Sequence, residues 1–492
     1  MKLPLPKRRI WRVAIYIVCT LLIVLAIDLI LVQLGRRIPH SYSTTRITEP
    51  TLSNGDIDYL TAIENHFGTG VTNENNAAPL ILLALGRKAL PPNQPPNGIT
   101  DRLGMPPLPE TGDYFQEQDK FYEVAQKADD PKNELIPLMT HPWKATDRPR
   151  TAAWLAANEK PLAVMIEASK RPRYFMPANG GTRPESLGEI LLPHLRLVRD
   201  AGRALVCRAM LKIQAGDIEG AHEDLLAAHG LAHALAQGIT LIDRLVSYAI
   251  DNIACTAEAS IAASGKLDAS QAKRWLADFQ QLPPSAGIAD CVDNGERYFF
   301  LDAMQLASRK GMARLMEILG SWDSQYSMRP YILWHFVPVR MARSAEIGNH
   351  FYDRLTQVMS MPLGQPRRQA IVDLGKEFNA LAPWNWTSVF RSDWPLPLMM
   401  FNRQQMEDRI DTAQVHRDLA TTALNLAVIK SERGTYPPMF AMSEDLFSGK
   451  PLVYRPTNNG YVLYSVGPNG LDDVGNQDDI AVTAGPAPSS KP

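Results

Sequence analysis

Cysteine is scarce. Only Cys19, Cys207, Cys255 and Cys291 occur in 492 residues, which excludes a disulfide-rich scaffold. An excess of one charge sign is also missing. The 51 Lys and Arg are balanced by 52 Asp and Glu, for a formal net charge of -1. Nothing in that balance neutralises a run of phosphates, so a nucleic-acid partner is not expected. No Gly-x-Ser-x-Gly elbow, phosphate-binding loop or complete dinucleotide fingerprint is present. Gly68-Thr69-Gly70 lacks its third glycine, because position 73 is Asn73. Disorder throughout is excluded by 45% hydrophobic and 21% charged residues. The 38 Pro and 31 Gly exclude a coiled coil or one long bundle. At 54.7 kDa the chain exceeds one hydrophobic core, and two to four structural units are expected.

Long uncharged apolar runs are rare as well, and one stands out. Residues 13–34 are apolar except for Thr20, Asp28 and Gln33, and Lys2, Lys7, Arg8, Arg9 and Arg12 precede them. As a helix they rise about 33 Å, enough for a hydrocarbon core of about 30 Å. The run exceeds the apolar core of a cleaved signal peptide, and Gly35-Arg36-Arg37-Ile38 is a poor cleavage site. The pattern predicts a signal anchor over 13–35. The lipid bilayer is then a partner, with residues 1–12 cytoplasmic and the bulk extracytoplasmic. The expected location is the bacterial inner membrane, crossed once, with the protein part of the cell envelope. Asp28 would snorkel to the interface or act within the membrane.

Beyond the anchor the expected fold is mainly α, with an irregular helical outer domain and a small C-terminal α+β module. Residues 36–112 hold short helices over 56–67 and 73–90, then a Pro-rich stretch from Pro91 to Pro109 that reads as extended and exposed. Residues 113–400 form the helical domain. Its helices are predicted over 113–128, 151–170, 187–215, 218–237, 239–263, 269–281, 291–319, 340–361 and 367–378. Residues 205–235 resemble a tetratricopeptide-type hairpin, stopped by Gly216 and restarted by an Asp217 cap. No 34-residue echo follows, so no repeat array is expected. The Trp/Pro-rich segment 384–397 reads as a packed loop or as an aromatic patch for a protein partner.

The C-terminal module spans 401–484, with a disordered tail over 485–492. A helix over 403–433 leads to strands over 451–455 and 461–466, joined through Asn459-Gly460. Asp472, Asp473, Asp478 and Asp479 follow within eight residues, with Asn476 among them. Four carboxylates so close repel one another unless solvated or bridged by a cation. A hard, oxygen-seeking ion such as Ca²⁺ suits a glycine-rich turn of this kind.

The run from Leu424 to Ile480 resembles the C-terminal half of type II secretion major pseudopilins. The likeness lies in the helix ending Arg433-Gly434-Thr435-Tyr436-Pro437-Pro438, in Ser448-Gly449-Lys450-Pro451-Leu452, and in Tyr464-Ser465-Val466-Gly467 before the acidic loop. It implies a small sheet with a calcium loop, hence Asp472, Asp473, Asp478 and Asp479 as ligands, with Asn476 a further candidate. With Asn75-Asn76-Ala77-Ala78-Pro79-Leu80 as a second mark, the chain is also similar to single-pass membrane-anchored bacterial proteins of unassigned activity. The cleavable N-terminal pilin signature is absent and Leu446 stands where the family usually has Pro. The likeness covers about 60 of 492 residues, which implies a shared module rather than pilus building.

Catalytic patterns are incomplete. His222, His229 and His233 fall within about 40° of one another around a helix and could face a transition metal. Leu225, Ala228, Ala232 and Leu235 beside them suit histidines flanking a core. Leu226 occupies the position where a zinc-protease motif beginning His222-Glu223 needs its second His. Ser270-Gln271-Ala272-Lys273 matches a penicillin-recognising nucleophile motif, but no Lys-Thr-Gly accompanies it and Asp268 reads as a helix cap. Cys207 and Cys255 read as buried thiols, a bridge between them being the alternative. The expected role is structural or protein-binding. A membrane-tethered hydrolase with a dispersed site and a secretion-system component are the other readings.

Overall fold

The computed structural model describes residues 38–95, 97–124, 135–284, 287–311, 341–381 and 403–485, with isolated positions before residue 24 and between 314 and 318. Helix α1 (Tyr59–Gly68) begins where the Asp58 carboxylate accepts the Thr61 amide at 2.8 Å. Its Tyr59, Leu60, Ile63 and Phe67 repeat every three or four residues and turn inward. Helix α2 (Ala78–Leu85) is apolar nearly all round, as a buried helix must be. Asn76 ties its start to residue 175, accepting the Phe175 amide at 3.0 Å and donating to the Phe175 carbonyl at 2.9 Å. The Pro-rich stretch expected to be extended instead holds α3 (Gly98–Arg102) and buries Ile99, Leu103 and Leu108. Proline forbids a long helix there but allows one turn between prolines.

Helices α4 (Gln118–Val124) and α5 (Leu135–Thr140) flank residues 125–134, which lie outside the described residues. The helix expected over 151–170 is two, α6 (Pro149–Ala157) and α7 (Glu159–Ser169). Asn158 makes the break: fully buried, it accepts the Gln116 amide at 2.7 Å and donates to the Gln116 carbonyl at 3.1 Å. Helices α8 (Pro193–Ala215) and α9 (Ile218–Leu235) form the expected hairpin. Gly216 is left-handed at φ 87°, and Asp217 accepts the Gly220 amide at 3.0 Å. Helix α10 (Leu241–Ala263) opens on a Thr240–Asp243 capping box, and α11 (Ala269–Gln281) on an Asp268–Gln271 box. A wide π-type turn, Cys291–Glu296, feeds α12 (Arg297–Lys310). Helices α13 (Met341–Met359), α14 (Gln365–Leu381) and α15 (Arg403–Arg433) complete the described set. The Trp/Pro-rich segment 384–397 and residues 486–492 lie outside the described residues.

Strands β1 (Val453–Pro456), β2 (Tyr461–Ser465) and β3 (Ile480–Ala484) make an antiparallel sheet in the order β1-β2-β3, with Val453 opposite Tyr464 and Leu463 opposite Val482. β3 was not expected, because its five residues follow directly on the acidic loop. α15 joins the described cores. Its Met406, Ile410 and Ala413 enter one cluster, and Ala420, Ala423 and Leu424 a second. Val415, Leu419 and Leu426 meet Phe447, Tyr461 and Leu463 of the sheet module in the third. α10 packs along α15, and small residues of both, Ala254 and Ala423 among them, enter the same core.

Among the described residues no helix is long and apolar enough to cross a membrane. The long ones carry too much charge: α10 alone holds Asp243, Arg244, Asp251 and Glu258. This overturns the anchor expected over 13–35, and with it the transmembrane part of the fold class and the signal-anchor, cell-envelope reading. The lipid bilayer as a partner and the single-pass inner-membrane location with an extracytoplasmic bulk fall too. Of 13–35 itself only 15–16, 18–20 and 22–23 are described, and the remainder lies outside the described residues. The mainly α architecture with a small antiparallel sheet stands.

Candidate functional site

Helix α10 sets Asp251, Cys255 and Glu258 four and three residues apart, so all three share one face. That face meets His229 of α9. His229 Nδ1 lies 2.6 Å from Asp251 Oδ1, while its Nε2 lies 3.7 Å from Glu258 Oε1, an ion-pair separation rather than a hydrogen bond. From α15, Arg417 approaches the other Asp251 oxygen at 3.3 Å and donates to the Pro283 carbonyl at 2.9 Å. Phe279 of α11 closes the site, edge-on to the imidazole at 5.5 Å and beneath the Arg417 guanidinium at 5.7 Å. His229, Asp251, Cys255 and Glu258 are all buried. Donor atoms of His229, Asp251 and Cys255 lie within 4.8 Å of one another, and no other His, Cys, Asp or Glu trio among the described residues does so.

Burial alone would hold His229 neutral, but the hydrogen bond to Asp251 and the negative charges of Asp251 and Glu258 prevail and lift its pKa to about 9. Burial would raise Asp251, but His229 and Arg417 outweigh it and hold that carboxyl below its ordinary value. Burial pushes the Cys255 thiol well up. A protonated thiol is a poor nucleophile, and an imidazole whose free nitrogen faces a buried carboxylate is badly placed as a general base. The arrangement suits holding a cation better than moving a proton. A cleft of about 320 Å³, lined by Leu226, His233, Tyr248, Pro283 and Arg417, reaches His229 and Asp251 from outside.

The expected histidine stripe is divided. His222 leaves it, stacking on Trp275 at 4.5 Å and pairing with Asp278 at 2.9 Å. His233 lines the cleft, and burial followed by the Arg417 and Arg244 cations lowers its pKa. The sequence reading reached His229 but missed Asp251, Glu258 and Arg417. The signal available was a buried polar row, 251, 255 and 258, on an otherwise apolar helix. Ser270 is exposed, and Lys273 pairs with Glu432 at 2.6 Å beside the Asp268 cap. All four thiols are free, with Cys207, Cys255 and Cys291 buried.

The acidic loop is elaborately hydrogen-bonded. Asp472 accepts the Tyr464 hydroxyl and the Val474 amide, both at 2.9 Å, and faces Arg455 at 3.3 Å. Asp473 accepts from the Asn469 and Gln477 side chains at 3.2 Å. Asp478 takes the Asn469 amide at 2.9 Å, and Asp479 the Gly475 amide at 2.7 Å. The Asn476 side chain donates to the Asp473 carbonyl at 3.1 Å. The Tyr464 hydroxyl, the Val474 amide and Arg455 hold the exposed Asp472 carboxyl below its ordinary value.

A second, more open groove of about 550 Å³ runs past α1. Exposed Asn65, Thr69, Thr72 and Asn73 line it over a floor that includes Phe175 and Leu103. Its end is fixed by a two-pronged Glu64–Arg102 pair at 2.8 and 2.9 Å, and Glu64 also accepts the Ala178 amide at 3.0 Å. No family model matches the chain, and neither the curated proteins nor the solved structures contain a match to it.

Proposed function

We propose that the protein has a non-catalytic, protein-interaction role, its helical body presenting the groove beside α1 to an extended segment of a partner protein. The carrying observation is the lining. Amide and hydroxyl side chains beside Phe175 and Leu103 offer both donors and acceptors to a main chain. The Glu64–Arg102 pair and the Asn76 clamp hold the walls before any partner arrives, which reduces the ordering cost of binding. Arg–carboxylate pairs elsewhere serve the same stiffness. Arg367 meets Glu407 at 2.9 Å and Arg368 meets Asp408 at 2.9 Å, bracing α14 against α15.

Selection of displayed random peptides on the full chain tests this reading. Enrichment on the wild type that disappears on Asn65→Trp, a substitution at an exposed helix position, supports it. Absence of enrichment on the wild type, or equal enrichment on both proteins, overturns it. The hydrolase reading would draw on the His229 cluster, whose protonated thiol and enclosed imidazole favour it less.

A further inference from the structure

Glu258 is 1% exposed, and both of its carboxylate oxygens lack a hydrogen-bond partner, as does Nε2 of His229 beside it. A buried, unpartnered carboxylate is costly, and such groups in folded proteins are normally met by a proton, a water or an ion. Here the neighbouring groups are ligands. An imidazole nitrogen, a thiol sulfur and a carboxylate oxygen already lie within 4.8 Å of one another, and Glu258 adds a second carboxylate 3.7 Å from the imidazole.

We propose that His229, Asp251 and Cys255 bind a divalent transition metal of the zinc class, with Glu258, beside the far imidazole nitrogen, as the partner that orients the ring. The donor types select the metal. Sulfur and imidazole nitrogen suit Zn²⁺ or Co²⁺ and disfavour Ca²⁺ and Mg²⁺, which take oxygen. Three protein donors leave the fourth tetrahedral position to a water. Charge closes as well. Cysteinate and two carboxylates around a divalent ion leave one negative charge, which Arg417 faces at Asp251. Binding releases the protons held by the thiol and the imidazolium, and no other bond changes. The cleft reaching His229 and Asp251 is the entry path.

The position gives the metal a consequence. It would join α9 to α10 directly and, through Asp251 and Arg417, reach α15, the helix shared by the described cores. Such a staple supports the interaction reading without depending on it, because the groove beside α1 lies elsewhere in the fold.

The test is Co²⁺ titration of the full chain after dialysis against chelator, read by absorption. One equivalent is expected to produce a thiolate-to-cobalt charge-transfer band in the near ultraviolet together with visible bands of tetrahedral Co²⁺. Zn²⁺ should then displace the cobalt and bleach both. Cys255→Ser is expected to lose the charge-transfer band. Glu258→Gln keeps the thiol and nearly the same shape, and it should keep the band while binding at least tenfold more weakly. Circular dichroism on each variant separates loss of the site from loss of the fold. No band on the folded wild type at stoichiometric cobalt overturns the proposal. So does a band that persists in folded Cys255→Ser, which would place the metal on another thiol.

Discussion

Glu258 Oε1 lies 3.7 Å from His229 Nε2 across the α9–α10 contact, and neither atom has a hydrogen-bond partner. A few residues along α10, Asp251 by contrast is matched on both oxygens, by His229 at 2.6 Å and Arg417 at 3.3 Å. One side of the imidazole is therefore complete and the other is not. With a cation on Nδ1, the Nε2 proton is left to turn to Glu258.

The pairing of Arg367 with Glu407 gives the first prediction. Both side chains are buried, and two guanidinium nitrogens reach Glu407 Oε2 at 3.2 and 2.9 Å. Arg367→Met leaves the carboxylate buried and unmatched and is expected to cost about 3–5 kcal/mol. Adding Glu407→Leu should recover most of that loss, because the unmatched carboxylate is then gone. Urea denaturation of the two single variants and the double variant measures the coupling. A double variant as unstable as the sum of the singles would contradict this.

Gly348 gives a second. An added Cβ there would overlap the Phe300 ring, so α13 approaches α12 only because position 348 has no side chain. Gly348→Ala is expected to destabilise by about 1–3 kcal/mol through overpacking. Phe300→Leu in the same chain should return part of the loss. Thermal melts that leave Gly348→Ala at wild-type stability would show that the two helices separate freely.

Asp243 gives a pH dependence. Burial raises its pKa from 3.8 to about 6, against the opposing hydrogen bonds of Thr240 and the charge of Arg244. Between those values the folded chain binds a proton that the unfolded chain has released, so stability from this group falls as pH rises from about 4 to 6. The full effect is on the order of 3 kcal/mol. Urea melts across that range should show a steeper decline for the wild type than for Asp243→Asn. Parallel curves would remove Asp243 as the cause.

The long helices were legible in sequence because their stops and caps are local. Gly216, Asp217 and Asp268 act within one turn, and α11 and α15 run over the expected 269–281 and 403–433. The break at Asn158 was not legible, because its cause is a bond to Gln116, 42 positions away. β3 escaped although Ile480, Val482 and Thr483 favour a strand, because its partner β2 lies across the acidic loop. The metal candidate was half legible. His229 belonged to a visible stripe, but its partners come from α10 and α15, and no spacing rule within α9 points to them. The apolar opening run was read as a membrane span from local pattern alone, and that expectation did not survive.

Calcium at the acidic loop is a separate proposal. Asp473, Asp478 and Asp479 would supply the ion, with Asp472 kept on Tyr464 and Arg455. A chelator should lower the melting temperature of the wild type and leave Asp478→Asn/Asp479→Asn unchanged. A chelator without effect on the wild type would show that the loop's own hydrogen bonds suffice.

X-ray absorption at the zinc edge of the zinc-loaded full chain tests the central claim most directly. One sulfur at about 2.3 Å with nitrogen and oxygen ligands at about 2.0–2.2 Å is the shell expected from Cys255, His229 and Asp251 with a water. A shell without sulfur, or with more than one, would contradict it.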